Sequence, residues 1–268
     1  MADTKKTLFE VKDVSVQFGG LRASDHVSFD VFDVKEGEIF GLIGPNGAGK
    51  TTIFNVITGS IVPVEGDIIL NGKSLLKMSP DKIARSGISR TFQNIRLFPK
   101  MTVAENVAIG YHCKPMYSRL EAMLGLPSVR RAEEEVKRKV AEMLDIFGLT
   151  EYADMRAGNL AYGLQRKLEI ARALATSPKL LLLDEPAAGM NNDECIELSK
   201  LLRYVQKKFD VTIIIIEHHI DLVVDLCDRI CVLNLGKVLK IDVPHVIQND
   251  EEVIQSYLGS RKEQSDEQ

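Results

Sequence analysis

No stretch of this 268-residue chain stays apolar long enough to cross a membrane. Its longest aliphatic runs, Leu180 to Leu183 and Ile213 to Ile216, fall far short of the roughly 20 residues that a bilayer span needs. A basic surplus is missing too: the formal net charge is −4, which removes the broad electrostatic case for a nucleic-acid partner. Met1 to Lys6 is polar and no apolar segment follows, so no secretory signal is expected. Any membrane role has to come through a partner. Cysteine is scarce, at four, with no C-x-x-C pair. Cys227 and Cys231 stand four apart among apolar neighbours, which predicts buried, reduced thiols rather than metal ligands, in a cytosolic protein.

What the chain does have is enough apolar content for a full core, 45% hydrophobic against 27% charged. It reads as one globular domain over residues 1–260, followed by a polar tail, 261–268, expected to be disordered. Phe9 to Phe18 alternates as a strand that ends at Gly19-Gly20. Val27 to Val31 reads as the next strand, and Phe32-Asp33-Val34 repeats Phe29-Asp30-Val31, a repeat expected to be taken up as a bulge or a longer connection. Gly66 to Gly72 and Ile88 to Phe92 read as strands, with a short helix opening at Ser79-Pro80. From Thr102 to Gly148 the pattern turns helical, with Val136, Val140, Leu144 and Phe147 on one face. Tyr111 to Ser128 reads as irregular connection. Residues 94–165, approximately, are therefore expected to form a helical subdomain. Helices over Leu164 to Ala175, Asp193 to Lys208 and Ile220 to Leu226 then alternate with strands at Lys179 to Leu183, Val211 to Ile216 and Arg229 to Leu235. Buried strands alternating with helices predict an α/β fold whose main sheet is largely parallel and covered on both faces.

The hub is Gly44-Pro45-Asn46-Gly47-Ala48-Gly49-Lys50-Thr51-Thr52, set between the apolar run Ile39 to Ile43 and a helix-compatible segment. In that context G-x-x-x-x-G-K-[ST] predicts a phosphate cradle. Backbone N–H groups and a helix N-terminus face the anion, Lys50 adds charge for the β and γ phosphates, and Thr51 offers a hydroxyl to Mg2+. Asp184 and Glu185 follow the buried run Leu180 to Leu183, at the strand end where open α/β sheets bind ligands. Asp184 is expected to hold Mg2+, and Glu185 to orient or deprotonate the attacking water; the alternative is an acidic turn before Pro186. His218 emerges at the same sheet edge and can sense the γ-phosphate, or be a polar surface residue. His219 is given no role. Gln93 can reach Mg2+ and the water while leading into the helical block, or be an ordinary loop glutamine. Phe18 can stack on an adenine ring or close the strand-end core. Ala161-Tyr162-Gly163, at the start of a helix, makes a second anion site. One fold is poorly placed to aim two such sites at one nucleotide, and a two-fold dimer in which each subunit completes the other's site resolves this.

Taken together these residues resemble the ATP-binding subunit of an ABC transporter over nearly the whole chain. Gly44 to Thr52 is similar to Walker A, Leu180 to Glu185 to Walker B, Gln93 to the Q-loop, Leu160 to Leu164 to the signature motif and His218 to the switch histidine. Arg90 to Phe98, Met101 to Asn106, Asn159 to Gly163, Pro186 to Asn191 and Val253 to Gly259 resemble the branched-chain amino acid importer group. The resemblance implies the P-loop ABC ATPase fold, with an antiparallel β part and an inserted helical subdomain that docks on membrane subunits. It implies ATP and Mg2+ between two ATP-binding subunits, Phe18 on the adenine, two membrane-spanning permease subunits, and a binding protein that delivers leucine, isoleucine or valine for uptake. The place is then the inner face of the cell membrane. Related amide or urea importers carry much the same features. A soluble ABC ATPase acting on ribosomes or DNA usually has paired cassettes or long coiled-coil insertions, and a P-loop kinase or GTPase has no use for Leu160 to Gln165. Three positions depart from the family pattern: Leu164 stands where Gln is usual, Asn191 where the D-loop has Asp, and His219 where Asp is common.

Overall fold

The computed structural model describes residues 6–33, 37–113, 121, 123, 124 and 126–257. The tail expected over 261–268, the end of the Phe29 to Val34 repeat and most of the connection between Tyr111 and Ser128 lie outside the described residues. Two sheets organise the chain. The first is antiparallel, in the order β2, β1, β4, β5, built from β1 (Lys6–Phe18), β2 (Leu21–Asp33), β4 (Glu65–Leu70) and β5 (Lys73–Ser74). The second has six strands, in the order β10, β9, β3, β8, β7, β6. These are β3 (Ile39–Ile43), β6 (Ile88–Arg90), β7 (Leu180–Asp184), β8 (Thr212–Ile216), β9 (Arg229–Asn234) and β10 (Lys237–Asp242). All its pairings are parallel except β9 with β10.

The central strands β3, β7 and β8 are buried at every residue. Their alternate side chains feed two cores: Ile39, Leu181, Leu183, Ile213 and Ile215 face one apolar cluster, while Phe40, Leu42, Leu180, Leu182, Ile214 and Ile216 face the other. The second cluster takes in the antiparallel sheet, helix α1 (Lys50–Ile57) and, through Ile83, helix α2 (Pro80–Ser86). The first takes in α3 (Val103–His112), α4 (Pro127–Ile146) and α5 (Tyr162–Ala175). The face of α4 read from the sequence is the buried one, with Val136, Val140 and Leu144 joined by Met143. Thr102 and Glu105 close α3 with a reciprocal capping box, and Asn191 and Glu194 do the same for α6 (Asn192–Phe209).

Several boundaries move. The strand starting at Val27 in the sequence reading starts at Leu21, and β6 stops at Arg90 rather than Phe92. The Phe29 to Val34 repeat does not bulge β2. The extra residue sits on the opposite strand, where Thr7 pairs with Phe32 and Phe9 with Val31, leaving Leu8 over. Spaced by three, Phe29 turns inward and Phe32 outward, where the Arg229 guanidinium lies 4.0 Å from its ring centre. Lys179, read as part of a buried strand, is exposed. Unforeseen elements are the edge strand β10 and the short helices α8 (Pro244–Gln248) and α9 (251–257), which follow α7 (Ile220–Leu226) and β9 along one end of the sheet.

Candidate functional site

The loop between β3 and α1 is built around backbone that a side chain would block. A Cβ on Gly44 (φ +151°) would lie 2.1 Å from the Leu233 carbonyl oxygen, and one on Gly49 (φ +98°) 2.7 Å from that of Ala23. Lys50, the first residue of α1, is buried and folds back, its Nζ donating to the carbonyls of Gly44 at 2.7 Å and Pro45 at 3.0 Å. Burial lowers its pKa, against the pull of Glu185 and Asp184. A cavity of about 200 Å³ opens over this loop, lined by Asn46 to Thr52, Ala23, Glu185 and His218. Tyr257, at the end of α9, lines a neighbouring cavity of about 290 Å³ with Ile43 and His218.

Parallel register brings the other candidates to the same edge. Asp184 ends β7 opposite Ile216, the last residue of β8, so Glu185 and the segment leading to His218 emerge side by side. Glu185 adopts φ +48°, a left-handed conformation that costs a non-glycine residue about 1 kcal/mol or more. Its carboxylate joins two of the predicted groups: Gln93 Nε2 donates to Oε2 at 2.9 Å, and His218 Nε2 lies 2.9 Å from Oε1. Gln93, Glu185 and His218, distant in sequence, thus form one hydrogen-bonded set at the mouth of the loop.

Asp184 is less free than the sequence suggests. Its Oδ2 accepts from Arg90 Nη2 at 2.7 Å, both side chains are nearly inaccessible, and Arg90 also donates to Asn55 at 2.8 Å. Among the described residues no group of three or more His, Cys, Asp or Glu could hold a metal. The oxygens on offer are the Thr51 hydroxyl, the Gln93 amide oxygen and the remaining Asp184 oxygen. A sparse all-oxygen set suits Mg2+, which keeps several waters and takes phosphate oxygens alongside one or two protein ligands.

Ala161 and Tyr162 are exposed, and neither they nor Gly163 line the cavity over Gly44 to Thr52. Leu164, where the family has Gln, packs against the first apolar cluster. Gln165 takes up a polar duty one residue later, donating to the Leu160 carbonyl at 2.8 Å. Behind it, fully buried Arg166 donates to the carbonyls of Phe92 at 2.7 Å and Gln93 at 2.8 Å, tying α5 to the Gln93 loop. Phe18 is half exposed at the end of β1. Cys227 and Cys231 are buried, free thiols, as expected.

The sequence pattern of the ABC transporter family matches residues 27–188. The chain belongs to that family. As an ABC protein it is 44% identical over 252 residues to the high-affinity branched-chain amino acid transport ATP-binding protein LivG of Escherichia coli K12, covering 94% of this chain and 98% of LivG. BraF of Pseudomonas aeruginosa, with the same description, is 42% identical over 254 residues, covering 95% of this chain and 98% of BraF. The ADP conformation of MJ1267, an ATP-binding cassette of an ABC transporter, matches with a TM-score of 0.80 at 31% identity, covering 94% of this chain and 99% of that one. The fold is the P-loop ABC ATPase fold and the activity of the chain is ATP hydrolysis. Arg90, Arg166 and Glu217, which sits between β8 and His218, are the site-shaping residues that sequence reasoning missed. For Glu217 the signal was a carboxylate directly after the aliphatic strand Thr212–Ile216; Arg166, in a helix with several other charges, carried none.

Proposed function

We propose that this ABC ATPase powers import of branched-chain amino acids, working as one of a pair of ATP-binding subunits on two permease subunits at the inner face of the membrane. A separate binding protein delivers the cargo. Likeness to LivG and BraF along nearly the full length of both chains supports the cargo. The observation that carries the mechanism is the Gln93–Glu185–His218 set over the phosphate loop. In this reading the N–H groups of residues 46–52 and Lys50 hold the phosphates, Lys50 giving up its carbonyl partners as it does so. Glu185 orients the attacking water and accepts its proton. His218 holds Glu185 and meets the γ-phosphate, and Phe18 stacks on the adenine. Thr51, Gln93 and Asp184 hold Mg2+, which when bound supplies positive charge against the phosphate oxygens.

Ala161 to Gly163 does not line the cavity over its own subunit's phosphate loop, and in this reading a second copy, arranged head to tail, brings that edge over the nucleotide. We read residues 94–165, approximately, as a helical subdomain within the 1–260 domain. In this reading the groove of about 330 Å³ lined by Ile83, Phe92, Phe98, Cys113 and Arg172 is offered to a permease segment. No described helix is long and apolar enough to cross a membrane, which fits attachment through permeases.

Glu185→Gln tests the mechanism: ATP still binds, turnover falls at least about 100-fold, and an ATP-dependent dimer accumulates on a sizing column. Hydrolysis at the wild-type rate would remove Glu185 from this role. Cargo is tested with the reconstituted complex in vesicles. ATP-driven uptake of leucine, isoleucine and valine is expected, and uptake of short amides or urea instead would overturn the assignment.

A further inference from the structure

One buried carboxylate is not used by this mechanism. Glu217 follows β8 and is 2% exposed. Its Oε1 accepts the Ala187 N–H at 2.6 Å, and its Oε2 accepts the His218 N–H at 3.1 Å and lies 3.3 Å from His219 Nδ1. Ala187 belongs to the loop that leaves Glu185, and His218 and His219 to the loop that leaves β8. The two loops start from strands in parallel register, with the Glu185 N–H donating to the Ile216 carbonyl at 2.9 Å. On the open side they meet again, where Glu185 and His218 come within 2.9 Å of each other. Glu217 therefore closes the same junction from inside the protein. Hydrogen bonds to a charged acceptor are about twice as strong as neutral ones, and at 2% exposure there is little water to replace a lost acceptor.

We propose that Glu217 is a positioning residue for ATP hydrolysis: its carboxylate ties the loop after Glu185 to the loop carrying His218, holding those two side chains at reacting distance. The proposal rests on the reading that Glu185 and His218 carry hydrolysis. Releasing the tie lets the pair drift, and a displacement of about 1 Å at a reacting centre can cost about 100-fold in rate.

The test is steady-state ATPase kinetics on the full chain. Glu217→Gln keeps the shape but turns an NH2 toward one of the two N–H donors. Its kcat should fall ten- to a hundredfold, with KM for ATP and the affinity for a fluorescent ATP analogue within twofold, because no phosphate-loop contact is touched. Glu217→Asp keeps the charge and loses a methylene of reach, so its kcat should fall at least threefold. In a His218→Ala background Glu217→Gln should cost less than threefold, since the Glu185–His218 pair it holds together no longer exists. A wild-type kcat in either Glu217 variant, a matching rise in KM, or an undiminished loss in the His218→Ala background would overturn the proposal. Loss of fold in both Glu217 variants would reduce the residue to a structural one and overturn it equally. If Glu185→Gln itself turns over normally, the underlying mechanism fails; if it stalls while Glu217→Gln runs at full rate, only the positioning role fails.

Discussion

Arg90→Met isolates the ion pair behind the site. Arg90 and Asp184 meet at 2.7 Å with side chains 7% and 4% exposed, and Arg90 also bonds Asn55 and lies over the rings of Phe54 and Phe92. Methionine preserves the aliphatic stem while deleting the charge and the guanidinium that lies over those rings. Removing one partner of a buried pair leaves an uncompensated charge, which costs about 3–5 kcal/mol. For a chain of this size that lowers the melting temperature by roughly 6–20 °C. Urea denaturation with nucleotide and metal chelated away measures it directly. Asp184→Asn on top of Arg90→Met removes the stranded charge, so the double variant should be more stable than Arg90→Met alone, with a coupling of at least about 1.5 kcal/mol. A loss below about 1 kcal/mol in the single variant, or additive effects in the double, would refute the view that the buried Arg90–Asp184 pair holds this part of the site together.

Gly44→Ala should destabilise the nucleotide-free protein by roughly 1–3 kcal/mol because its Cβ meets the Leu233 carbonyl oxygen, whereas Gly20→Ala, with open space around it, should be neutral or slightly stabilising; equal urea midpoints would contradict this. Burial raises the pKa of Cys231 to about 12 and pushes Cys227 higher, and it raises Tyr111 and Tyr257 to about 12. The unfolded chain releases these protons first, so stability should hold below pH 8 and fall from about pH 9 upward, by up to about 1.4 kcal/mol per pH unit for each group; a flat urea midpoint between pH 8 and 10.5 would exclude it. By the same shifts, a thiol reagent at pH 8 should label exposed Cys113 quickly and reach Cys227 and Cys231 only after denaturation.

The parallel sheet was legible because its strands are short, wholly aliphatic and separated by helices with a clean apolar face: Leu180 to Leu183 and Ile213 to Ile216 could be little else. The grouping at the candidate site was legible where residues share a local spacing, as in Gly44 to Thr52, or a place just past a buried strand, as for Glu185 and His218, which meet at 2.9 Å. Strand β10 escaped notice because Lys237 to Asp242 is an edge with no fully buried residue and thus a weak apolar signature. The start of β2 was hidden by the polar run Arg22 to His26, held by strand pairing rather than by its own pattern. Arg90 and Glu217 could not be given partners from sequence, since Asp184 lies 94 residues from Arg90 and Ala187 30 from Glu217. Fold topology alone makes them neighbours. Leu164, where Gln is usual, packs partly buried against the first apolar cluster, a placement set by the fold that the sequence does not announce, while Gln165 bonds the Leu160 carbonyl.

Tyr257 gives the chain an optical property of its own. With no tryptophan and six tyrosines, near-ultraviolet emission comes from phenol rings alone. One of them, Tyr257, lines a cavity of about 290 Å³ together with Ile43, the residue before the phosphate loop, and His218. Packing around Ile43 and His218, and not only global unfolding, should therefore change the emission of that ring.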